Sequence, residues 1–203
     1  MKRLVLVRHG ETEWNSDKRI QGSVDVPLSE RGIRQAEALA GTLTAKGERF
    51  DRIYTSDLQR SLRTGEILAH RLQIPSFTTT PLLRELHCGV WEGRSIEDLR
   101  TSEWPAYERW LVDPDYAIPG GESVMQLHER VRQFLSQERA GLDESAAVII
   151  VAHGLLNRMF LAVLLKLDPQ RSRHFSQDNT AINVFTWQGR RCYCEAWNLT
   201  SHL

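Results

Sequence analysis

The sequence predicts a single-domain α/β fold: a three-layer α/β/α sandwich with a mostly parallel central sheet and an antiparallel edge. Three observations carry this expectation. The short, almost wholly apolar runs at residues 4–7 and 147–152 have the composition of strands buried on both faces of a parallel sheet. Segments with helical hydrophobic spacing alternate with such runs through most of the chain. The last stretch instead reads as two strands joined by Gln188-Gly189-Arg190, a hairpin for the sheet's edge.

Taken in order, residues 2–7 form a strand that stops at Arg8-His9-Gly10. Ser29 is a good N-cap, and Ile33, Ala36, Leu39, Ala40 and Leu43 recur at helical spacing until Gly47, so the first crossover is a helix. Residues 50–55 read as the second strand and 58–72 as a helix with Leu62, Ile67 and Leu68 on its apolar side, closed by Pro75. A short strand is expected at 78–83, ending near Arg84-Glu85, and a helix at 96–112 despite Pro105, carrying Trp104, Tyr107 and Trp110. Pro114, Pro119, Gly120 and Gly121 mark a loop, after which Ser123 can cap a helix bearing Leu127, Val131, Phe134 and Leu135. Residues 147–152 are the strongest strand, ending at His153-Gly154 before a helical run at 155–167; residues 182–187 and 191–197 complete the hairpin. There is no repeat, low-complexity tract or linker, so one domain is expected over 1–203, with 86–122 as a substrate-side insertion or lid.

Composition bounds the function more than it names it. With 41% hydrophobic and 26% charged residues the chain is an ordinary globular one, neither disordered nor fibrous. Lys plus Arg and Asp plus Glu balance at 26 each, so no overall field favours nucleic acid or an anionic membrane, and any anion affinity must be local. No run of about 18 apolar residues is present for a membrane span. The basic start Met1-Lys2-Arg3 is followed by an apolar run too short for a signal peptide and interrupted by Arg8. Three cysteines, Cys88, Cys192 and Cys194, suit a reducing compartment better than a disulfide scaffold, so a cytoplasmic protein is expected.

The chemistry is signalled by an echo. Arg8-His9-Gly10 and Ala152-His153-Gly154 both place a His-Gly pair directly after a buried strand. In open α/β sheets ligands bind beyond the carboxyl ends of strands, so the two histidines can face one pocket, and glycine after each lets the backbone approach a ligand closely. Asn15 and Gln21 lie in the loop after the first strand. Ser56, Arg60 and Thr64, at i, i+4 and i+8, are expected on one helix face near an N-terminus, where anions are favoured.

Residues 4–15, Leu-Val-Leu-Val-Arg-His-Gly-Glu-Thr-Glu-Trp-Asn, resemble the entry motif of the histidine phosphatase superfamily, in its phosphoglycerate mutase-like branch. The resemblance continues through Gln21-Gly22, Pro27-Leu28-Ser29-Glu30-Arg31-Gly32, Tyr54-Thr55-Ser56-Asp57-Leu58-Gln59-Arg60, Leu83-Arg84-Glu85, Gly89-Val90-Trp91-Glu92-Gly93, Pro119-Gly120-Gly121-Glu122-Ser123 and Val151-Ala152-His153-Gly154. It implies that His9 is the nucleophile, Glu85 the general acid and base, and Arg8, Arg60 and His153 the clamp on the phosphoryl oxygens. Asn15, Gln21, Gly22 and the backbone of Gly154 would complete the phosphate and substrate pocket. Phosphoryl transfer spreads charge over equatorial oxygens, so positioned cations supply most of the catalysis, with a protonated His153 adding to two guanidinium forks. No cofactor or metal is implied, since the histidines lack the short helical spacing of a zinc site and the arginines bring positive charge.

A mutase of this family typically reads Glu-Arg-His-Tyr-Gly where this chain has Glu85-Leu86-His87-Cys88-Gly89, so the arginine and tyrosine that would grip a second acidic group are missing. The Gly89-Val90-Trp91-Glu92-Gly93 continuation looks like the small phosphatases, including the α-ribazole and broad-specificity groups. The expectation is therefore a metal-independent phosphatase acting on a small phosphorylated metabolite through a phosphohistidine, with a 2,3-bisphosphoglycerate-dependent phosphoglycerate mutase as the alternative. A catalytically dead phosphate-binding module is disfavoured because every chemically necessary residue is present. The aromatics after Glu85 can line the leaving-group side or pack as core, and the edge hairpin leaves a homodimer open.

Overall fold

The computed structural model describes residues 1–139, 143 and 145–203. Strand β1 (Arg3–Arg8) is followed by a single turn, α1 (Glu13–Ser16), and the crossover helix α2 (Glu30–Ala45), whose cap is the expected Ser29, its Oγ accepting the Gly32 amide at 3.1 Å. Then come β2 (Arg52–Thr55), α3 (Gln59–Leu72), β3 (Ser76–Thr79), α4 (Ile96–Ser102), α5 (Trp104–Val112) and α6 (Val124–Arg139). The chain continues through β4 (Ala147–Ala152), α7 (Gly154–Leu165), a short α8 (Pro169–Ser172), β5 (Ile182–Gln188) and β6 (Arg191–Leu199).

Among the described residues the strands form one six-stranded sheet in the order β3-β2-β4-β1-β5-β6. β3, β2, β4 and β1 pair in parallel, whereas β5 runs antiparallel to β1 and β6 antiparallel to β5, which gives the anticipated mixed edge. Because successive side chains alternate faces, Leu4 and Leu6 join Val148, Ile150 and Ala152 on one side, against Leu127, Val131 and Phe134 of α6 and Leu156, Met159 and Phe160 of α7. Val5 and Val7 join Ile149 and Val151 on the other, against Leu39, Ala40 and Leu43 of α2 and Leu68 of α3. This two-sided burial is why β1 and β4 read as continuous apolar runs. Burying each such Leu, Val or Ile side chain contributes about 1.5–3 kcal/mol. Cys192 and Cys194 pack against the first of these clusters from β6, and Cys88 is buried within it. No helix among the described residues is long and apolar enough to cross a membrane.

Two expected elements differ. The strand placed at 78–83 is β3 at Ser76–Thr79, after which Pro81–Leu83 forms a 3₁₀ turn capped by Thr80, whose Oγ1 accepts the Leu82 amide at 3.3 Å. Pro81 has no N–H for a ladder and its fixed φ suits a first helical turn. The helix placed at 96–112 is two, broken at Glu103, because Pro105 cannot continue an i→i−4 ladder and instead sits in the first turn of α5.

Candidate active site

β1 and β4 are neighbours, and their register pairs Arg8 with Ala152, so His9 and His153 leave the sheet at the same level. After β1 the chain turns to the α2 side and after β4 to the α7 side, which opens a crevice between them at a topological switch point. The His9 amide donates to Ala152 O at 2.9 Å, and the two imidazoles lie 5.1 Å apart between centroids at 58°. Both are buried, His153 completely. His9 Nδ1 stands 2.7 Å from Gly10 O. A carbonyl only accepts, so Nδ1 carries the proton and Nε2 keeps its lone pair. Burial, then Arg60 and Arg8, hold the His9 imidazole well below its ordinary 6.5, so it is neutral near pH 7.

Arg60, in the first turn of α3, is fully buried rather than a solvated helix arginine. Its Nη1 donates to Val24 O and its Nη2 to Gly22 O, each at 2.7 Å, which aims the guanidinium across the pocket. Thr64 shares that face as expected; its Oγ1 donates to Arg60 O at 2.7 Å and accepts the Gly10 amide at 3.1 Å, tying α3 to the loop after His9. Ser56 does not share it. It precedes the helix, and its Oγ accepts the Leu58 amide at 3.1 Å, in a local turn typical of serine. Arg8 extends from the end of β1, Nη1 donating to Gln177 O at 2.6 Å.

Several buried polar atoms here have no hydrogen-bond partner among the described residues: Arg8 Nε, Arg60 Nε, both ring nitrogens of His153 and Gln21 Oε1. Buried donors are almost always paired, so a cluster of unpaired donors on two guanidinium groups and an imidazole is complementary to an anion. Burial lowers Arg60 to about 10, against the opposing pull of Glu85 and Asp25, and lowers Arg8 as well. Both remain cations at neutral pH. The expectation of a protonated His153 needs correction: burial, then Arg60, His9 and Arg8, push it well below 6.5, so the protein's own groups keep it neutral. A neutral imidazole still offers one N–H to a phosphoryl oxygen, and only a dianion beside it would draw a second proton on.

Glu85 is held at the N-terminus of α7, whose cap residue is His153 and makes no side-chain cap bond. Its Oε2 accepts the Leu155 amide at 2.9 Å, and its Oε1 accepts the amides of Leu156 at 3.1 Å and Leu86 at 3.0 Å. The carboxylate thereby satisfies helix amides that β4 and its histidine leave open. Gly154 lies between the two chemistries, the position of an added Cβ being 3.6 Å from Arg8 Nε and 3.7 Å from Glu85 Oε2.

Arg8, His9, Asn15, Gln21, Gly22, Arg60 and Glu85 all line one cavity of about 220 Å³, with His153 beside His9 and Gly154 beside Arg8 at its edge. Gly22 contributes through Arg60, by its carbonyl. Asn15 Oδ1 is engaged by the Thr12 amide at 3.1 Å and Asn179 Nδ2 at 3.2 Å, which leaves the amide nitrogen as its donor toward the cavity. Leu86, Cys88, Trp91, Tyr107 and Trp110 form much of the far wall. Trp104 does not; it is 44% exposed on the outer side of α5. The wall residues Arg19, Ile20, Ile96, Ile118 and Leu155 carried no signal in the sequence, because an exposed arginine looks solvated and isolated apolar positions on four segments look like core until the fold joins them. No group of three or more His, Cys, Asp or Glu among the described residues is placed to hold a metal ion.

Comparison with known proteins agrees with this geometry. Residues 4–200 match the family model described as "Histidine phosphatase superfamily (branch 1)". A Proteus mirabilis protein named "Probable phosphoglycerate mutase GpmB" is 37% identical over 199 residues, covering 97% of this chain and 90% of the relative. "Phosphoserine phosphatase 1" of Hydrogenobacter thermophilus is 33% identical over 204 residues, covering 100% and 95%. Among solved structures, a mycobacterial glucosyl-3-phosphoglycerate phosphatase in complex with VO3 superposes with a TM-score of 0.86 at 31% identity, over 98% of this chain and 99% of that one. The paired histidines, the buried arginines and the match along almost the whole chain together establish that this protein belongs to the histidine phosphatase superfamily, branch 1.

Proposed function

We propose that this enzyme is a metal-independent phosphatase that hydrolyses a compact phosphate monoester through a phosphohistidine on His9. The observation that carries the reading is the convergence of unpaired guanidinium and imidazole donors around a neutral, desolvated His9 whose Nε2 is unprotonated. In the first step Nε2 attacks phosphorus, the bond from phosphorus to the ester oxygen breaks, and the departing alkoxide takes a proton from the Glu85 carboxyl. In the second a water oxygen attacks the phosphohistidine, its proton passes to the Glu85 carboxylate, and the nitrogen–phosphorus bond breaks to return Nε2 and release phosphate. Arg8, Arg60 and His153 hold the equatorial oxygens in both steps. Two guanidinium groups against the histidines disfavour a cation at this place, so turnover in a strong chelator is the expected result.

The names of the relatives divide between mutase and phosphatase, and the wall opposite His9 favours the latter. Where mutases carry an arginine and a tyrosine to grip a second acidic group, Leu86 and Cys88 line the cavity, and the remaining cation on the wall is the exposed Arg19. A cavity of about 220 Å³ is smaller than the roughly 300–1,000 Å³ of sites for drug-sized ligands. A compact alcohol with an apolar face therefore suits the site better than a nucleoside such as α-ribazole, which would have to protrude. Residues 86–122 act in this reading as the leaving-group side of the pocket. The test is a screen of phosphate monoesters by phosphate release, run beside an assay with 3-phosphoglycerate and its bisphosphate primer; 2-phosphoglycerate formed faster than phosphate would replace the phosphatase reading with the mutase one.

A further inference from the structure

The Pro119-Gly120-Gly121-Glu122-Ser123 motif takes no part in the cavity around His9, yet it is packed with unusual closeness against the segment that carries Glu85. A Cβ on Gly121 would stand 2.3 Å from His87 O, and one on Gly89, at φ +49°, would stand 2.1 Å from Pro119 O, so the two backbones touch where only glycine allows it. The contact is stitched by Glu122 N to His87 O at 2.8 Å and Val90 N to Pro119 O at 3.1 Å. The Glu122 carboxylate then reaches back, Oε2 accepting the His87 amide at 2.9 Å. It is itself gripped by Arg130 of α6, Nη2 to Oε2 at 2.8 Å and Nε to Oε1 at 3.2 Å.

Arg130 completes the arrangement with three main-chain bonds: Nη1 donates to Leu82 O at 3.0 Å and Arg84 O at 2.6 Å, and Nη2 donates to Glu85 O at 3.1 Å. One guanidinium, mostly buried and paired with Glu122, thus gathers the carbonyls of Leu82, Arg84 and Glu85 along the turn from which Glu85 projects. From the front, the Glu85 carboxylate is fixed by the amides at the start of α7. The acid–base group is held between a helix terminus and an arginine clamp. We propose that Arg130 and Glu122 are positioning residues for Glu85, setting the distance over which it hands a proton to the leaving oxygen, without touching the substrate.

This rests on the phosphatase reading, and the test separates the two. The general acid matters most when the leaving alkoxide is a strong base and least when it departs unaided. Arg130→Met and Glu122→Gln are compared with wild type by kcat/KM, which reports steps through leaving-group departure, on an alkyl phosphate and on 2,4-dinitrophenyl phosphate. We expect a loss of about 10²-fold on the alkyl ester and less than about 3-fold on the dinitrophenyl ester, with Arg130→Lys recovering part of the alkyl activity because it keeps a donor to the carbonyls. Equal losses on both esters, or none on either, would overturn the clamp. Should Arg130→Met not fold, folded Glu122→Gln carries the same test alone. Absence of wild-type turnover on every ester would instead remove the phosphatase reading.

Discussion

Replacing Arg60 with methionine separates the chemistry of the site from the stability of the fold. The displacement of Arg60 by burial from its ordinary arginine range down to about 10 means that the folded protein disfavours its charged form. At about 1.4 kcal/mol per pH unit this corresponds to about 3 kcal/mol, which a neutral side chain of similar length recovers. Against it stand the two carbonyls Arg60 serves. Val24 O also accepts the Val26 amide at 3.1 Å and keeps a partner, so Gly22 O is the one left open, at about 1–3 kcal/mol. The terms nearly cancel, and Arg60→Met should unfold in urea within about 2 kcal/mol of wild type. Its kcat/KM should nonetheless fall by about 10² to 10³, the usual consequence of removing one preorganised donor to a charged transition state. Arg60 also ranks second, after burial, in lowering His9, so the acid limb of kcat/KM should move to higher pH as His9 becomes easier to protonate. A stability loss above about 4 kcal/mol would make Arg60 a structural residue, and kcat/KM within tenfold of wild type would remove it from the clamp.

Further outcomes follow from the same geometry. His9→Ala should abolish both turnover and the acid-labile phosphoenzyme seen on rapid quenching; appreciable turnover would exclude the covalent route. Glu85→Gln, which keeps one acceptor oxygen for the α7 amides but no transferable proton, should slow an alkyl phosphate by roughly 10² to 10⁴, and a rate within threefold of wild type would assign the proton to another group. His9 and His153 are buried with lowered values, so the unfolded chain binds more protons below its ordinary 6.5. Stability is then complete above that pH and declines as pH falls through it, by up to about 1.4 kcal/mol per pH unit for each histidine. Urea midpoints at pH 7.5 and 5.5 check this, and His153→Asn should flatten the slope. Dialysis against a strong chelator should leave kcat unchanged, and restoration by an added divalent ion would introduce a metal into the mechanism.

Most of the fold was legible because it rests on local patterns: the apolar runs of β1 and β4, the Ser29 cap and the spacing of Ile33 to Leu43 are properties of contiguous residues. Proline defeated the pattern at Pro81 and Pro105, where a missing N–H outweighs hydrophobic spacing. The proposed reactive residues were legible for a different reason, since His9, Arg60, Glu85 and His153 sit in short family motifs, and Arg60's complete burial could not have been read from a helix of mostly polar residues. The leaving-group wall was not legible as such. Trp91 and Tyr107 are core and wall at once, Trp110 lines the cavity from the core's edge and Trp104 faces outward, although all four belong to one aromatic-rich stretch; Trp91 sits on a 3₁₀ turn and the other three on α5, whose start at the Glu103 break sets its phase.

The bond from the His9 amide to Ala152 O joins the proposed nucleophile to the innermost pair of strands, while the wall facing it comes from α4, α5 and their flanking turns. The phosphoryl half of the site therefore inherits the slow hydrogen exchange of the sheet centre, and the alcohol half rests on elements that can be re-sequenced without disturbing that centre. In a fold so partitioned, descendants of one ancestor can diverge in the alcohol they release while the phosphorus chemistry stays fixed, and the divided names of this chain's relatives are the trace such a history would leave.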